Sequence, residues 1–237
     1  MKKVMGLGLA ALSAVLILSG CNNTIFASDE RDNEIVVEKD RAKELEVVLN
    51  FGAGEMDVAA GGNEWVSGNA IYEPEKMKPE VSYDLNGKVG KVEIAQPDHI
   101  KIGKMENEWD LKINKDVPVD LVVNAGASET DLDLKGIQLS NLEVNAGVGK
   151  ITVDLGGDWK ESFEARISSG VGQMTVILPK DTGVRIHAQK GIGSSSFENL
   201  ISKGDGVYVN EAYEDAKVKI DLKADLGIGE VTFKTEK

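Results

Sequence analysis

Cysteine occurs once in the 237 residues, at Cys21, and histidine twice, at His99 and His187. A lone thiol excludes an internal disulfide, so the folded part must be held by its core alone. Two histidines without companion ligands leave no zinc constellation and no base for a serine triad. His187 alternates with Ile186 and Ala188 as an outward strand residue, and His99 sits in the turn-rich QPDHIKI. Basic side chains are also short, 27 Lys+Arg against 40 Asp+Glu for a formal net charge of −13, which makes nucleic acid a poor partner. Long apolar runs are missing except at the start, and no long helical period follows Cys21, which argues against a helical bundle.

That start reads MKKVMGLGLAALSAVLILSGC. Lys2 and Lys3 precede an apolar run that is shorter than the roughly 20 residues a bilayer core requires. A basic start, a short apolar core and a small-residue cleavage site define a secretory signal over residues 1–20. Leu18-Ser19-Gly20-Cys21 resembles the lipobox of bacterial lipoproteins, and the resemblance implies that Cys21 is the lipidated first residue of the mature chain. Two or more acyl chains on one residue anchor a protein stably, so the expected location is extracytoplasmic, lipid-anchored to the bacterial cell membrane. The signal holds two lysines and no acid, so its loss leaves 25 basic against 40 acidic side chains, a balance of −15. Residues 21–44 are polar and charge-dense and read as a tether spanning about 25 Å as a flexible chain; the alternative is a short strand at Glu34 to Glu38 docking onto the domain.

Six copies of one motif follow: NFGAGEMDV, NAGASETDL, NAGVGKITV, SSGVGQMTV, QKGIGSSSF and DLGIGEVTF. Their first glycines are Gly52, Gly126, Gly147, Gly170, Gly191 and Gly227, separated by 74, 21, 23, 21 and 36 residues. A spacing slightly above twenty in a chain rich in Val, Ile and Leu is the mark of stacked coils. Five and three residues before each glycine the side chain is apolar, from Val47 and Leu49 to Leu222 and Ala224, which marks a strand with one face buried. The predicted fold is all-β: a repetitive parallel β-solenoid, right-handed and β-helix-like, of about 21–23 residues per coil, with a small N-terminal β region.

Beyond the motif the apolar set changes parity, to Met56 and Val58, Ile151 and Val153, Met174 and Val176, and Val231 and Phe233. A one-residue slip in a period-two pattern requires a bulge or corner. The second glycine, at Gly54, Gly149, Gly172, Gly193 and Gly229, is placed at that corner, with Ser128 replacing it in one copy. The residue between the glycines is always apolar (Ala53, Ala127, Val148, Val171, Ile192, Ile228) and is expected inside. Two residues before the first glycine stands a polar residue, Asn50, Asn124, Asn145, Ser168, Gln189 or Asp225, read either as a stacked ladder or as an outward position beside a turn. The extra length before Gly227 is expected as a loop or hairpin projecting from the last coil but one.

These residues resemble the bacterial toast-rack family, β-solenoid-like domains of surface lipoproteins and of membrane proteins related to the cell-wall antibiotic stress response. Besides the glycines, the segments 64–87, 109–155 and 207–233 carry the likeness, with Pro79, Tyr83 and Trp109 at matching positions. The resemblance implies an N-terminal toast-rack region at 45–117 followed by the repeat domain at 118–237, and a fold and location rather than a chemistry.

Candidate sites are few. A phosphate-binding glycine loop needs a following helix and a Lys-Ser or Lys-Thr pair; here strands follow and the pair is missing. Outward acids, Glu129, Asp131, Asp133, Asp154, Asp221 and Asp225, are placed to meet on one outer face. Asp131, Asp133 and Asp154 are weak calcium candidates, although no D-x-D-x-D-G loop is present. Trp65 and Trp109 are assigned to packing and Trp159 is left open between packing and sugar stacking. The reading is a non-catalytic, membrane-anchored surface lipoprotein, without cofactor, acting as a scaffold, binding, adhesion or envelope-stress sensing module toward an envelope protein or wall polymer. The alternative is a calcium-dependent polysaccharide-active enzyme on a β-helix.

Overall fold

The computed structural model describes residues 34–97 and 106–236; Cys21, the signal segment and His99 lie outside them. Among the described residues, strands make up every regular element except two single 3-10 turns, Glu75–Met77 and Glu211–Tyr213. Five long strands, numbered along the chain with the rest, form the body: β2 (Glu44–Ala60), β7 (Pro118–Asp133), β8 (Gln138–Asp154), β9 (Phe163–Leu178) and β14 (Lys219–Thr235). They pair in parallel in that order, with the motif copies in register, so that Asn50, Asn124, Asn145, Ser168 and Asp225 form one row.

Each long strand bends at its glycine corner into two limbs that line one core. In β7 the buried positions are Val119, Leu121, Val123 and Ala125 before the corner, and Ser128, Thr130 and Leu132 after it. The parity slip inferred from the sequence is therefore real, and it keeps both limbs facing inward. All twelve apolar positions before the glycines and the even-offset set after them are buried in a single cluster. Phe51, before the corner of β2, meets Trp109 edge-on, with ring centroids 4.9 Å apart.

At every corner but that of β7, where Ser128 stands without a positive φ, glycine is required for two reasons. Gly149 and Gly172 have φ of 140° and 139°, a region open essentially to glycine alone. A Cβ on Gly172 would also stand 1.9 Å from the carbonyl oxygen of Gly149 in the coil beneath. Turns between limbs take the same residue type, as at Gly136 and Gly157, with φ of 84° and 90°.

Both ends of the stack carry further strands. At the N-terminal end β5 (Val89–Ala95) continues the first limb of β2 in parallel and β4 (Glu80–Asn86) pairs antiparallel with β5. The second limb is continued by β6 (Glu106–Ile113), then β3 (Val66–Glu73), then β1 (Glu34–Val37). β1 is the docking strand held as the alternative above, so the expected tether does not extend through residues 34–37. Ile35 and Val37 are buried because they alternate toward the core. β2 also pairs along its whole length with β7, so hydrogen bonding is unbroken across the boundary expected at 117/118.

The C-terminal end departs from a simple sequential stack. β10 (Gly183–Gln189) and β11 (Ile192–Glu198) form the fifth motif copy in the sequence, yet they lie outside the sixth, because β14 is inserted between them and β9. Every coil presents the same apolar pattern and the same corner, so the exchange leaves the core intact. The expected hairpin exists as β12 (Ile201–Gly204) and β13 (Val207–Val209), but β13 pairs with β10 instead of projecting.

Candidate functional site

The outer faces of the two limbs and the corner between them are what the stack displays. On the second limb, strand order and register build a carboxylate grid. Glu108, Glu55 and Glu129 share one row; Asp110, Asp57 and Asp131 share the next. Adjacent strands are about 4.8 Å apart, and like charges in register oppose each other. Asp131 consequently holds its proton above the usual carboxylate range, by partial burial first and then by repulsion from Asp57, Asp133 and Asp154. Of these partners, Glu55 and Asp57 were legible in the sequence, since they stand at the same offsets from Gly52 as Glu129 and Asp131 from Gly126.

Two lysines answer part of this charge. Lys150 Nζ lies 2.6 Å from Glu129, and Lys135 Nζ lies 2.5 Å from Asp154 and 3.2 Å from Asp133. Asp133 and Asp154, both calcium candidates, are in register and share one ammonium; Asp131 sits in the neighbouring row, opposite Thr152. Among the described residues no group of three His, Cys, Asp or Glu is gathered that could hold a metal ion. The acids expected on one face are in fact divided. Asp221 and Asp225 lie on the first limb, where Arg185 Nε is 2.6 Å from Asp221 and Arg166 Nη1 is 3.4 Å from Asp225.

The first limb carries the polar row. Asn124 Nδ2 donates to Asn50 Oδ1 at 2.8 Å and Asn145 Nδ2 donates to Asn124 Oδ1 at 3.0 Å, so the ladder reading holds for three coils. Near its start an open depression of about 550 Å³ is lined by Asn141, Ser162, Glu164, Lys219 and Asp221, with both signs of charge and no enclosed floor.

At the corner an expectation is overturned. The residue between the glycines is not inside: Val148, Val171, Ile228 and Ile192 are 57, 47, 53 and 74% exposed. Two consecutive residues at the bend, the first glycine and its successor, fall on the convex side, and burial resumes only past the second glycine. Parallel register lines these residues into one apolar ridge, half-buried at Ala53 and exposed at Ala127, Val148, Val171, Ile228 and Ile192, whose side chains grow toward the C-terminal end. The usable signal was the pair of glycines around each, since bare backbone on both sides offers nothing for an inward side chain to pack on.

Trp65 and Trp109 are each 2% exposed, as packing requires, with their Nε1 groups donating to Asp40 and Asn107. Trp159 packs too, tilted on Phe163 at 4.7 Å and donating to Leu155 O at 2.7 Å. His187 is exposed on β10. Among the described residues no helix is long and apolar enough to cross a membrane.

A family model described as the N-terminal domain of toast_rack, DUF2154, matches residues 26–177. The crystal structure of a "putative cell adhesion protein" from Clostridium sporogenes ATCC 15579 is 32% identical, over 86% of this chain and 98% of that one, with a TM-score of 0.80. A "putative adhesin" from Bacteroides fragilis NCTC 9343 is 12% identical over 84% of this chain and 94% of that one, at a TM-score of 0.31, too low to carry a fold likeness. No curated protein matches the chain.

Proposed function

We propose, from the premise that the chain belongs to the toast-rack family, that it is a non-catalytic surface binding module of the adhesin type, held at a bacterial membrane by lipid on Cys21. The observation that carries this reading is the likeness to a structure described as a "putative cell adhesion protein", which spans 86% of this chain and 98% of that one. The geometry supports it. The glycines are occupied with close backbone approach, the asparagines with a ladder and the tryptophans with packing, so the motif residues serve architecture. What remains for a partner is an extended outer surface, the kind of surface stacked coils use for binding. Envelope-stress sensing belongs to the same proposal as one use of such a surface. Against the enzyme reading, Asp133 and Asp154 share a lysine, and Asp131 lies in the neighbouring row opposite Thr152.

Two measurements test this. Cys21→Ala is expected to move the chain from the membrane fraction to the soluble fraction, or to leave it uncleaved; a wild-type chain that is soluble and lipid-free would defeat the anchor. Wall polymers and acidic polysaccharides, incubated with the chain and calcium, are expected to be retained without release of reducing ends. Turnover abolished by Asp131→Ala would defeat the binding module in favour of the enzyme.

A further inference from the structure

The strands of the first limb start unevenly. β8 pairs with β7 from Gln138, whereas its pairing with β9 begins only at Asn141 opposite Glu164, and β14 joins β9 at Ile220 opposite Phe163. The step this leaves is the open depression of about 550 Å³, with Ser140 and Ser162 in its lining. Asn141, Glu164 and Asp221 stand side by side in register along it, and Lys217 and Lys219 line it where the chain enters β14.

The acids of this depression are answered and its lysines are not. Arg185 Nε lies 2.6 Å from Asp221, and Lys223 Nζ lies 3.9 Å from Glu164. No carboxylate among the described residues pairs with Lys217 or Lys219; the Lys219 ammonium stands 4.4 Å from the centre of the Tyr213 ring instead. Two ammonium groups are thus left over at one place, in a chain whose formal balance is −13.

The polar groups around them are ones that pair with hydroxyls. Asn141 Nδ2 donates to Asp120 Oδ1 at 3.0 Å, which leaves the Asn141 Oδ1 as an acceptor. Ser162 Oγ accepts from the Lys219 amide at 2.9 Å and keeps its own proton to donate. Glu164 and Asp221, as carboxylates, accept only. Acceptors beside unpaired ammonium groups fit a ligand that carries an anionic group and hydroxyls on one small frame. A bare anion would bring nothing to donate to the two carboxylates, and a neutral sugar would leave both ammonium groups unanswered.

We propose that this depression binds one acidic unit of an envelope polysaccharide, its carboxylate or phosphate against Lys217 and Lys219 and its hydroxyls on Glu164, Asp221 and Asn141. The site rests on the binding-module reading and names the class of ligand that module takes. Its volume is that of a small-molecule site, and its openness suits a unit within a longer chain, which must leave the site at both ends. One unit on so open a surface binds weakly, with a Kd on the order of 1 mM.

Ligand-observed NMR titration of the full chain in mild detergent tests it, with a galacturonate trisaccharide, a glycerol phosphate trimer, a neutral galactose trisaccharide and a glutamate tripeptide as probes. Wild type is expected to bind one or both of the first two, which identifies the anion as carboxylate or phosphate, and to bind the neutral and peptide probes at least about tenfold more weakly. Lys217→Glu is expected to weaken binding by about tenfold or more; Lys217 is exposed and outside every strand, so the fold is spared. Lys88→Glu makes the same change of net charge on the β4–β5 turn, at the other end of the first limb, and is expected to leave binding unchanged. Failure of both anionic probes, equal binding of the neutral or peptide probe, or equal effects of the two substitutions overturns the proposal. A wild type that fails here yet retains wall polymer loses this site and keeps the module reading; one that retains no polymer loses both.

Discussion

Replacing Gly172 by alanine isolates what holds neighbouring coils at their spacing. Two terms add at this position. An alanine at φ of 139° occupies a region costing on the order of 1–3 kcal/mol. Its Cβ would stand 1.9 Å from the oxygen, 2.9 Å from the carbon and 3.0 Å from the nitrogen of Gly149. All three are backbone atoms of the adjacent coil, so no side chain can swing away and the coils must part, an overpacking cost of about 1–3 kcal/mol. Together these give about 2–6 kcal/mol, a large share of the roughly 5–15 kcal/mol that typically holds a domain. Urea unfolding should show the midpoint falling with the slope unchanged. Gly87→Ala is the control: its φ is 65° and nothing lies within 4 Å of the added carbon, so only the left-handed cost of about 1–2 kcal/mol applies. Val171→Ala, next door but exposed, should stay within about 0.5 kcal/mol. If Gly172→Ala costs no more than Gly87→Ala, the contact between coils is not what glycine provides.

Asn124→Ala removes the acceptor for Asn145 and the donor to Asn50 and should cost about 1–2 kcal/mol, read as a fall of a few degrees in Tm. Asp131→Asn addresses the acidic grid. Because the folded state raises the pKa of Asp131, the folded protein binds this proton more readily than the unfolded chain, and stability falls as pH rises through the folded value. The substitution should therefore raise Tm at pH 7, with the gain closing as pH drops below the unfolded value of about 3.9. Melts of both proteins across that range check it, and a gain that persists undiminished at low pH would refute the electrostatic cause.

Period and corner were legible because burial imposes a two-residue rhythm and a change of limb forces a slip in it. Leu121 and Val123 before Gly126, and Ile151 and Val153 after Gly149, are buried as that rhythm requires. Val148 and Ile192 were misread because apolar character ordinarily signals burial, whereas position on the convex side of a bend overrides it. The coil exchange was hidden for a different reason. β9 would accept either β10 or the first limb of β14, since Ala165 and Ile167 meet the same pair of apolar positions in both. Pattern alone sets register, and the choice of neighbour rests on the connections. The acidic grid was half legible, because Asp110 belongs to β6, outside the repeat, and only the pairing with β2 brings it beside Asp57.

The insertion of β14 makes the last strand of the described chain a keystone. β10 and β11 leave the ribosome before it but join the parallel stack only through it, so every parallel pairing of the fifth copy waits for the sixth, while β13 pairs with β10 from the other side. Removing residues from 219 onward would strip away not one coil but two, leaving Ile186, Ala188 and Phe197 without a parallel neighbour and β9 as an open end. Until β14 pairs with β9, the fifth copy has no parallel strand to rest on, so this end of the stack is completed by the last described strand and not in the order in which the coils are written.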